Sequence, residues 1–267
     1  KKTGKCRRSE MKLADLKKLV TEIGQGAVEL VFPAEPVCPA CGREPGLYRG
    51  LGRQCLKRIV LIVPPICNLC GRMLRLNKAS DGKCQECCGT AYYFSKARAV
   101  AMYEGALREY LAEVKYRYRP DLGMALGELM VEWLKAYPKY GKFDLIIPVP
   151  IHPQKLAIRG YNQAELLSIP LQRHLGIPVK SDIIIRRKLT ETQNALDRES
   201  RFSNVRQAFQ VVRPGALTGK CVLLVDDIMT TGATASEVSR MLLRAGALDV
   251  KLLTLAAGVI DKQWLHQ

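Results

Sequence analysis

The segment VLLVDDIMTTGATA, residues 222–235, decides the fold of this chain. An apolar run ends in two carboxylates, Asp226 and Asp227, and small hydroxyl residues then lead to Gly232 at the start of a predicted helix. Continuous apolar runs are typical of buried parallel strands, and open parallel sheets bind ligands beyond the carboxyl ends of those strands. The segment therefore predicts a strand, a ligand-binding loop and a helix, with an acidic strand end and a threonine N-cap as the alternative.

The loop Thr230–Thr234 has the chemistry of a phosphate site. Threonine hydroxyls and the free backbone N–H groups of a helix N-terminus can surround a phosphate, and Gly232 lets the backbone approach it closely. The two aspartates can accept hydrogen bonds from ribose hydroxyls or help to hold hydrated Mg²⁺. We therefore expect a ribose 5-phosphate group to bind here.

Strands and helices alternate from Lys96 onward. The apolar patterns predict strands at 97–104, 144–150, 182–187, 208–212, 221–227 and 250–257, and helices at 106–116, 121–137, 159–174 and 233–245. Pro170 should kink the third of these helices. Such alternation predicts an α/β domain whose mostly parallel sheet is covered by helices on both faces.

The composition narrows the class of protein. The 267 residues are 48% hydrophobic, enough for a sizeable core, and no apolar run reaches the roughly 20 residues that cross a bilayer. The formal net charge of +17 favours a polyanionic partner such as nucleic acid or polyphosphate. We expect a cytoplasmic protein that is not membrane-spanning, with a basic N-terminal segment and helix (1–30), a cysteine-rich module (31–95) and an α/β domain (96–267).

Four cysteines predict a metal site in the cysteine-rich module. Cys67 and Cys70 form one C-x-x-C pair, and Cys84 and Cys87 form another after thirteen intervening residues. Paired cysteines at this spacing are typical of structural tetrathiolate zinc sites. The module has too few periodic apolar residues for a core of its own, so zinc would supply its stability. Cys88 could replace Cys87 as a ligand, and buried free thiols are the alternative to a metal.

Three segments together resemble known families. The 222–235 segment resembles the phosphoribosyl pyrophosphate-binding motif of type I phosphoribosyltransferases. The segments IPVPIHPQKLAIRGYNQAELL (147–167) and LTETQNALDRESRFSNVRQAF (189–209), preceded by a cysteine-rich module, resemble the ComF family of competence-associated proteins. The resemblance covers nearly the whole chain from Met11. It implies a type I phosphoribosyltransferase-like domain behind an N-terminal zinc-ribbon module.

The resemblance gives roles to individual residues of the phosphate loop. It implies that Asp226 and Asp227 face the ribose. It also implies that the loop cradles the 5-phosphate through Thr230, Thr231, Gly232, the backbone of Ala233, and Thr234.

Two further regions correspond to functional loops of the family. The loop after residues 144–150 matches the region that binds pyrophosphate, and its cationic candidates are Arg159, Lys155 and His152, with Arg159 favoured because arginine pairs bidentately with phosphate. Asn162 and Gln163 either touch the ligand or make local hydrogen bonds. The polar stretch 187–201 and its continuation form a closing loop or contact nucleic acid, and the matching residues are Thr192, Gln193, Arg201 and Asn204.

The resemblance also points to a second zinc knuckle pair. Cys38, Cys41 and Cys55 resemble a pair that many members of the family carry, but Gly52 stands where the partner of Cys55 is expected. Either Cys6 or a non-cysteine ligand completes this site, or the chain has lost it. The sequence leaves these outcomes open.

The segment VKYRYRP, residues 114–120, alternates cations with aromatic rings. Phosphate pairing and base stacking within one segment suit single-stranded DNA. The candidate contacts are Lys115, Tyr116, Arg117, Tyr118 and Arg119. The alternative is a helix C-terminus whose cations favour the helix dipole and whose tyrosines pack inward.

The ComF resemblance implies a DNA-uptake accessory beside a helicase-like partner, cytoplasmic or peripheral at the membrane uptake machinery. Such a protein would bind single-stranded DNA, structural Zn²⁺, and phosphoribosyl pyrophosphate or a nucleotide with Mg²⁺. Two alternatives stay open: a nucleotide-salvage phosphoribosyltransferase, and a docking protein whose zinc module grips the helicase and whose ligand site is regulatory. No general base for an acceptor can be named, so the sequence assigns no catalytic residue.

Overall fold

The computed structural model describes residues 37–47, 50–74, 82–189 and 198–258, without the side chains of 198, 199 and 201. These residues belong to one compact unit, Val37–Gln267. The predicted N-terminal helix lies outside the described residues, and the boundary predicted after residue 95 stays a prediction. Within the described ranges, no helix is both long enough and apolar enough to cross a membrane.

The described elements alternate much as the apolar patterns predict. The helices are α1 (Arg53–Lys57), α2 (Gln85–Cys88), α3 (Gly105–Tyr116), α4 (Pro120–Ala136), α5 (Pro153–Arg159), α6 (Gln163–Leu175), α7 (Arg198–Val205) and α8 (Ala233–Arg244). The strands are β1 (Lys96–Met102), β2 (Leu145–Pro148), β3 (Ile184–Arg186), β4 (Phe209–Val211), β5 (Cys221–Met229) and β6 (Asp249–Ala257).

The main sheet is parallel, with strand order β1-β6-β5-β2. On β5, Leu223 and Val225 enter the core beneath α4 and α6, whereas Val222 and Leu224 enter the core beneath α8. Because successive side chains of a strand alternate between faces, a sheet covered on both sides needs a continuous apolar run. The prediction of a mostly parallel sheet with helices on both faces is confirmed.

Several local features differ from the sequence prediction, among them α5 and α7, which the apolar patterns do not predict. The helix predicted at 159–174 begins only at Gln163, as α6, because Gly160 ends α5 with a left-handed φ of 77° and Asn162 caps the new helix. Pro170 lies inside α6, which continues to Leu175. Strands β3 and β4 pair antiparallel in a separate two-stranded sheet, which does not join the main sheet.

The cysteine-rich segment packs on the α/β part through both of its cores. Cys38 and Cys55 belong to the core beneath α4, and Cys67 belongs to the core beneath α8. Between these cysteines, residues 60–62 run along β1: Ile62 N donates to the Val100 carbonyl at 3.0 Å, and Met102 N donates to the Val60 carbonyl at 2.8 Å. We call residues 60–62 the edge segment, because they cover the outer edge of β1.

Candidate functional site

The carboxyl end of β5 and the loop after it form one side of a small cavity. Asp226 shares its lining with Thr230, Gly232 and Thr234. Gly232 has a left-handed φ of 79° and is the N-cap of α8, which places the loop at a helix N-terminus. The structure therefore brings the carboxylate and the threonine loop together as a phosphate site requires.

The adjacent carboxylates at the end of β5 have different charge environments. Lys115, whose side chain is 18% exposed, makes an ion pair with Oδ2 of Asp227. Burial opposes ionisation of Asp227, but the Lys115 ammonium lowers its pKa below the usual value. Burial and the neighbouring charge of Asp227 raise the pKa of Asp226 well above its usual value. Lys115 thus favours the charged form of Asp227, whereas burial and the charge of Asp227 favour the protonated form of Asp226.

This ion pair bears on one sequence prediction. Lys115 is a predicted DNA contact, and its ammonium lies against the Asp227 carboxylate. The reason is helical register: α3 continues to Tyr116, so the side chains of neighbouring positions leave the helix in different directions. The Lys115 side chain is therefore directed toward the carboxylates of β5.

Basic side chains from three elements surround the carboxylates. Burial lowers the pKa of Lys155, and the positive charges of Arg186, Arg159 and Lys115 lower it further. Burial also lowers the pKa of Arg186, although the charge of Asp226 opposes this shift. Cations close enough to repel one another produce a positive local potential, which favours a polyanionic ligand.

Arg186 was missed by the sequence reasoning. It ends β3 and lies over the Phe209 ring with 5.4 Å from its guanidinium carbon to the ring centroid. The motif DIIIRR predicts its strand correctly, but nothing in that segment indicates that the β3–β4 sheet approaches β5. Only the tertiary structure places Arg186 beside Asp226.

The other predicted pyrophosphate-loop residues have structural contacts as well. His152 is the N-cap of α5, where its Nδ1 accepts a hydrogen bond from Gln154 N at 3.2 Å. Arg159 donates to Oε1 of Gln163 at 3.0 Å and lies over the Tyr116 ring at 5.6 Å. These contacts hold the Arg159 side chain between α6 and the end of α3.

Asn162 makes local hydrogen bonds. Its Oδ1 accepts from Ala164 N at 3.1 Å, and its Nδ2 donates to the Val149 carbonyl at 3.0 Å. With 8% exposure, Asn162 ties the start of α6 to the loop after β2. The contacts favour the structural alternative for this residue.

Tyr92 supports the phosphate loop from the cysteine-rich segment. Its hydroxyl donates to the Thr231 carbonyl at 2.9 Å. Its ring lies so close to Gly232 that a Cβ at this position would be 2.9 Å from Cε1 of Tyr92. Glycine is therefore needed both for the backbone angle and for this contact. The sequence gives no sign of the contact between Tyr92 and Gly232, because these two residues are far apart in the chain.

The predicted closing-loop residues are only partly described. Thr192 and Gln193 lie outside the described residues, as does the side chain of Arg201. Asn204 lies on α7, and Phe202 of the same helix is 6.1 Å from the Tyr92 ring. The contact places α7 beside the residue that supports the phosphate loop.

The basic and aromatic segment divides into surface and structural positions. Tyr116 and Tyr118 are 76% and 70% exposed, and Arg117 between them is also exposed. Arg119 instead forms ion pairs with Glu113 and Asp121, at 3.2 and 2.9 Å. Arg119 therefore connects α3 to α4, and the two tyrosines and Arg117 form the accessible surface.

Cys67, Cys70, Cys84 and Cys87 form a buried cluster whose ligand atoms all lie within 4.8 Å of one another. The sulfurs of Cys70 and Cys84 are 3.6 Å apart, and the backbone N–H groups of both residues donate to Sγ of Cys67. Four converging sulfurs fit a tetrahedral metal ion. Cys88 is exposed and lies outside the cluster, so Cys87 is the fourth member. The cluster can hold a metal ion.

A second cluster contains Cys38, Cys41 and Cys55 together with Glu44, and its ligand atoms also lie within 4.8 Å of one another. The sequence alone allows a non-cysteine ligand to complete this site, but it does not identify Glu44. A carboxylate three residues after a C-x-x-C pair is too common to stand out in a sequence.

Comparisons with known proteins agree with this architecture. A family model described as a phosphoribosyl transferase domain matches residues 166–263. The chain is 31% identical over 204 residues to the DNA utilization protein YhgH of Escherichia coli K12, covering 71% of this chain and 89% of that protein. It is 31% identical over 211 residues to competence protein F of Haemophilus influenzae, covering 78% and 90%.

The solved structures that match this chain are more distant. A glutamine phosphoribosylpyrophosphate amidotransferase from B. subtilis has a TM-score of 0.36 and 22% identity, covering 54% of this chain and 30% of that chain. An adenine phosphoribosyltransferase from Thermoanaerobacter pseudethanolicus has a TM-score of 0.31 and 17% identity, covering 48% and 77%.

Proposed function

The chain belongs to the ComF family, and on that premise we propose that it binds phosphoribosyl pyrophosphate, or a nucleotide, and single-stranded DNA in the service of DNA uptake or utilisation. The phosphorylated ligand binds with Mg²⁺ at Asp226, Asp227 and the loop Thr230–Thr234. The ion in the Cys67 cluster is structural zinc. This role belongs in the cytoplasm, where incoming single strands meet nucleotides.

The observation that carries the proposal is the convergence of opposite charges at the carboxyl end of β5. The carboxylate pair suits ribose hydroxyls and hydrated Mg²⁺, and the helix N-terminus suits the 5-phosphate. Lys155, Arg159 and Arg186 supply the positive charge that a pyrophosphate group needs. Asp226 and Asp227 would hold hydrated Mg²⁺, which would neutralise part of the negative charge of the pyrophosphate group. The chain's own groups orient the ligand, and no acceptor or general base is assigned.

Calorimetric titration with phosphoribosyl pyrophosphate and Mg²⁺ tests this site. We expect saturable binding, weakened about 100-fold when Asp226→Asn and Asp227→Asn are combined, because amides replace the acidic acceptors for the ribose hydroxyls and for hydrated Mg²⁺. The matched control is Glu132→Gln, a carboxylate-to-amide change at an exposed position of α4, which should bind like the unaltered protein. Absence of binding by folded, zinc-loaded protein would rule out the ligand site.

The proposed DNA surface is formed by Tyr116, Arg117 and Tyr118. Exposed aromatic rings give bases a surface on which to stack, and Arg117 offers a charge to the phosphate backbone. Arg159 lies over the Tyr116 ring, so this surface adjoins the basic residues of the proposed ligand site. A strand bound at the tyrosines would therefore pass close to the phosphoribosyl site.

Single-stranded DNA binding is measured by fluorescence anisotropy of a labelled oligothymidine over a range of salt concentrations. We expect affinity to fall steeply with salt, and Tyr116→Ala combined with Tyr118→Ala to weaken binding by at least about tenfold. Tyr137→Ala is the control, because Tyr137 follows the opposite end of α4, about 25 Å away by helix length. Equal losses in both variants would remove the assignment to this surface.

A further inference from the structure

The two cysteine clusters share one local design. In each, the glycine after the C-x-x-C pair has a left-handed φ: 64° at Gly42 and 73° at Gly71. Gly42 N donates to the Cys38 carbonyl at 2.8 Å, and Gly71 N donates to the Cys67 carbonyl at 2.9 Å. The turn at Cys38–Gly42 therefore has the same backbone conformation as the turn at Cys67–Gly71, which orients two sulfurs of the Cys67 cluster.

The second halves also correspond, except for one side chain. Cys84 is the N-cap of α2, with φ −74° and ψ 157°, and Gly52 is the N-cap of α1, with φ −68° and ψ 161°. Cys87 and Cys55 each follow their N-cap by three residues. Gly52 thus stands where Cys84 provides a sulfur in the other cluster.

The Glu44 carboxylate fills the space of the missing side chain. A Cβ built on Gly52 would overlap Cγ, Cδ and Oε1 of Glu44. Both carboxylate oxygens accept from Gln54 N, and Oε1 accepts from Cys55 N, each at 3.1 Å. Oε1 is 4.0 Å from Sγ of Cys41. The carboxylate is held in the position from which a residue-52 thiolate would bind an ion.

A buried hydroxyl on α3 faces the same cluster. Tyr110 is 4% exposed, and within the described residues its hydroxyl makes no hydrogen bond of good geometry. Its side chain lies close enough to Cys55 for the two groups to interact. A phenol O–H beside a sulfur can donate to a metal-bound thiolate, an outer-shell contact that orients the ligand.

From these observations we propose that Glu44 is the fourth protein ligand of a second zinc ion, which it holds with Cys38, Cys41 and Cys55. Three thiolates and one carboxylate carry the same formal charge as four thiolates. An oxygen donor is harder than sulfur, so the second site binds soft metals less tightly than the Cys67 cluster does.

The test counts zinc per chain in the full-length protein. We expect two ions in the unaltered protein and one in Glu44→Gln. The glutamine amide oxygen can still accept hydrogen bonds from the N–H groups of Gln54 and Cys55, but it carries no negative charge with which to bind zinc. Glu44→Ala combined with Gly52→Cys should restore two ions. After exchange with Co²⁺, that double variant should show stronger sulfur-to-cobalt charge-transfer absorption, since it has one more thiolate.

Control variants distinguish Glu44 from Cys6 as the fourth ligand and separate metal binding from capping of α1. Cys6→Ser should leave the metal count unchanged, because Glu44 replaces any need for Cys6.

A single zinc in the unaltered protein would overturn the proposal. Two ions retained in Glu44→Gln would also overturn it and would limit Glu44 to capping α1. If Glu44→Gln folds poorly, recovery of folding and of the second ion by the Glu44→Ala, Gly52→Cys variant still supports ligation, and failure of that variant contradicts it.

Discussion

Asp227→Asn is expected to lower the melting temperature by about 6–12 °C, whereas Asp226→Asn is expected to raise it. Breaking the buried pair with Lys115 leaves an uncompensated ammonium, which costs about 3 kcal/mol, and each kcal/mol corresponds to about 2–4 °C in a chain of this size. Asn at 226 instead imitates the protonated carboxyl that burial favours. Differential scanning calorimetry in a phosphate-free buffer at pH 7 measures both shifts.

The pH dependence gives this prediction an internal check. Because the folded-state pKa of Asp226 is raised, its cost to stability appears as pH rises above the unfolded value near 3.8. The advantage of Asp226→Asn should therefore disappear toward acidic pH. The stability from Asp227, whose pKa is lowered, is present above that value and is lost as pH falls. Equal destabilisation by both variants at pH 7 would contradict the assigned charge states.

Loss of metal from the Cys67 cluster is expected to lower the melting temperature by at least about 10 °C and to weaken phosphoribosyl pyrophosphate binding. Structural zinc contributes about 10–16 kcal/mol of folding free energy in small domains, which is comparable to the whole stability of about 5–15 kcal/mol of a typical domain. The cluster sulfurs are buried in the core that also contains Phe94, next to the Tyr92 support of the phosphate loop. Cys84→Ser, or chelator treatment, followed by calorimetry and ligand titration, measures both effects.

Two further variants make this test specific. Cys88→Ser changes an exposed cysteine beside the cluster and should leave both the melting temperature and the metal content unchanged. Tyr92→Phe keeps the metal but removes the hydrogen bond to Thr231, and should weaken ligand binding several-fold, in line with about 1 kcal/mol. Unchanged stability and metal content in Cys84→Ser would show that this cluster is not a zinc site.

The local part of this structure could be predicted from the sequence, because its causes are local. The apolar run before Asp226 and the glycine before α8 are neighbours in the chain, so their strand, loop and helix follow from adjacent residues. Paired cysteines indicate their own cluster for the same reason. The family resemblance adds the relation between these segments.

The remaining site residues could not be predicted because tertiary packing brings them together. The register of α3 directs Lys115 toward Asp227. Arg186 is brought near Asp226 by the β3–β4 sheet, which lies outside the main sheet. Tyr92 acts on a loop that is 139 residues away in the chain. Each of these residues has an ordinary sequence context. Their roles depend on distances that no local pattern encodes.

The edge segment has a consequence for self-association. β1 is an outer strand of the main sheet, and its unpaired N–H and C=O groups would be a template for a strand from another molecule. Residues 60–62 occupy the Val100 carbonyl and the Met102 N–H, and they lie between Cys55 of one cluster and Cys67 of the other. Metal at both clusters would anchor this cover on each side. We therefore expect loss of both metal ions to expose part of this sheet edge and to promote self-association.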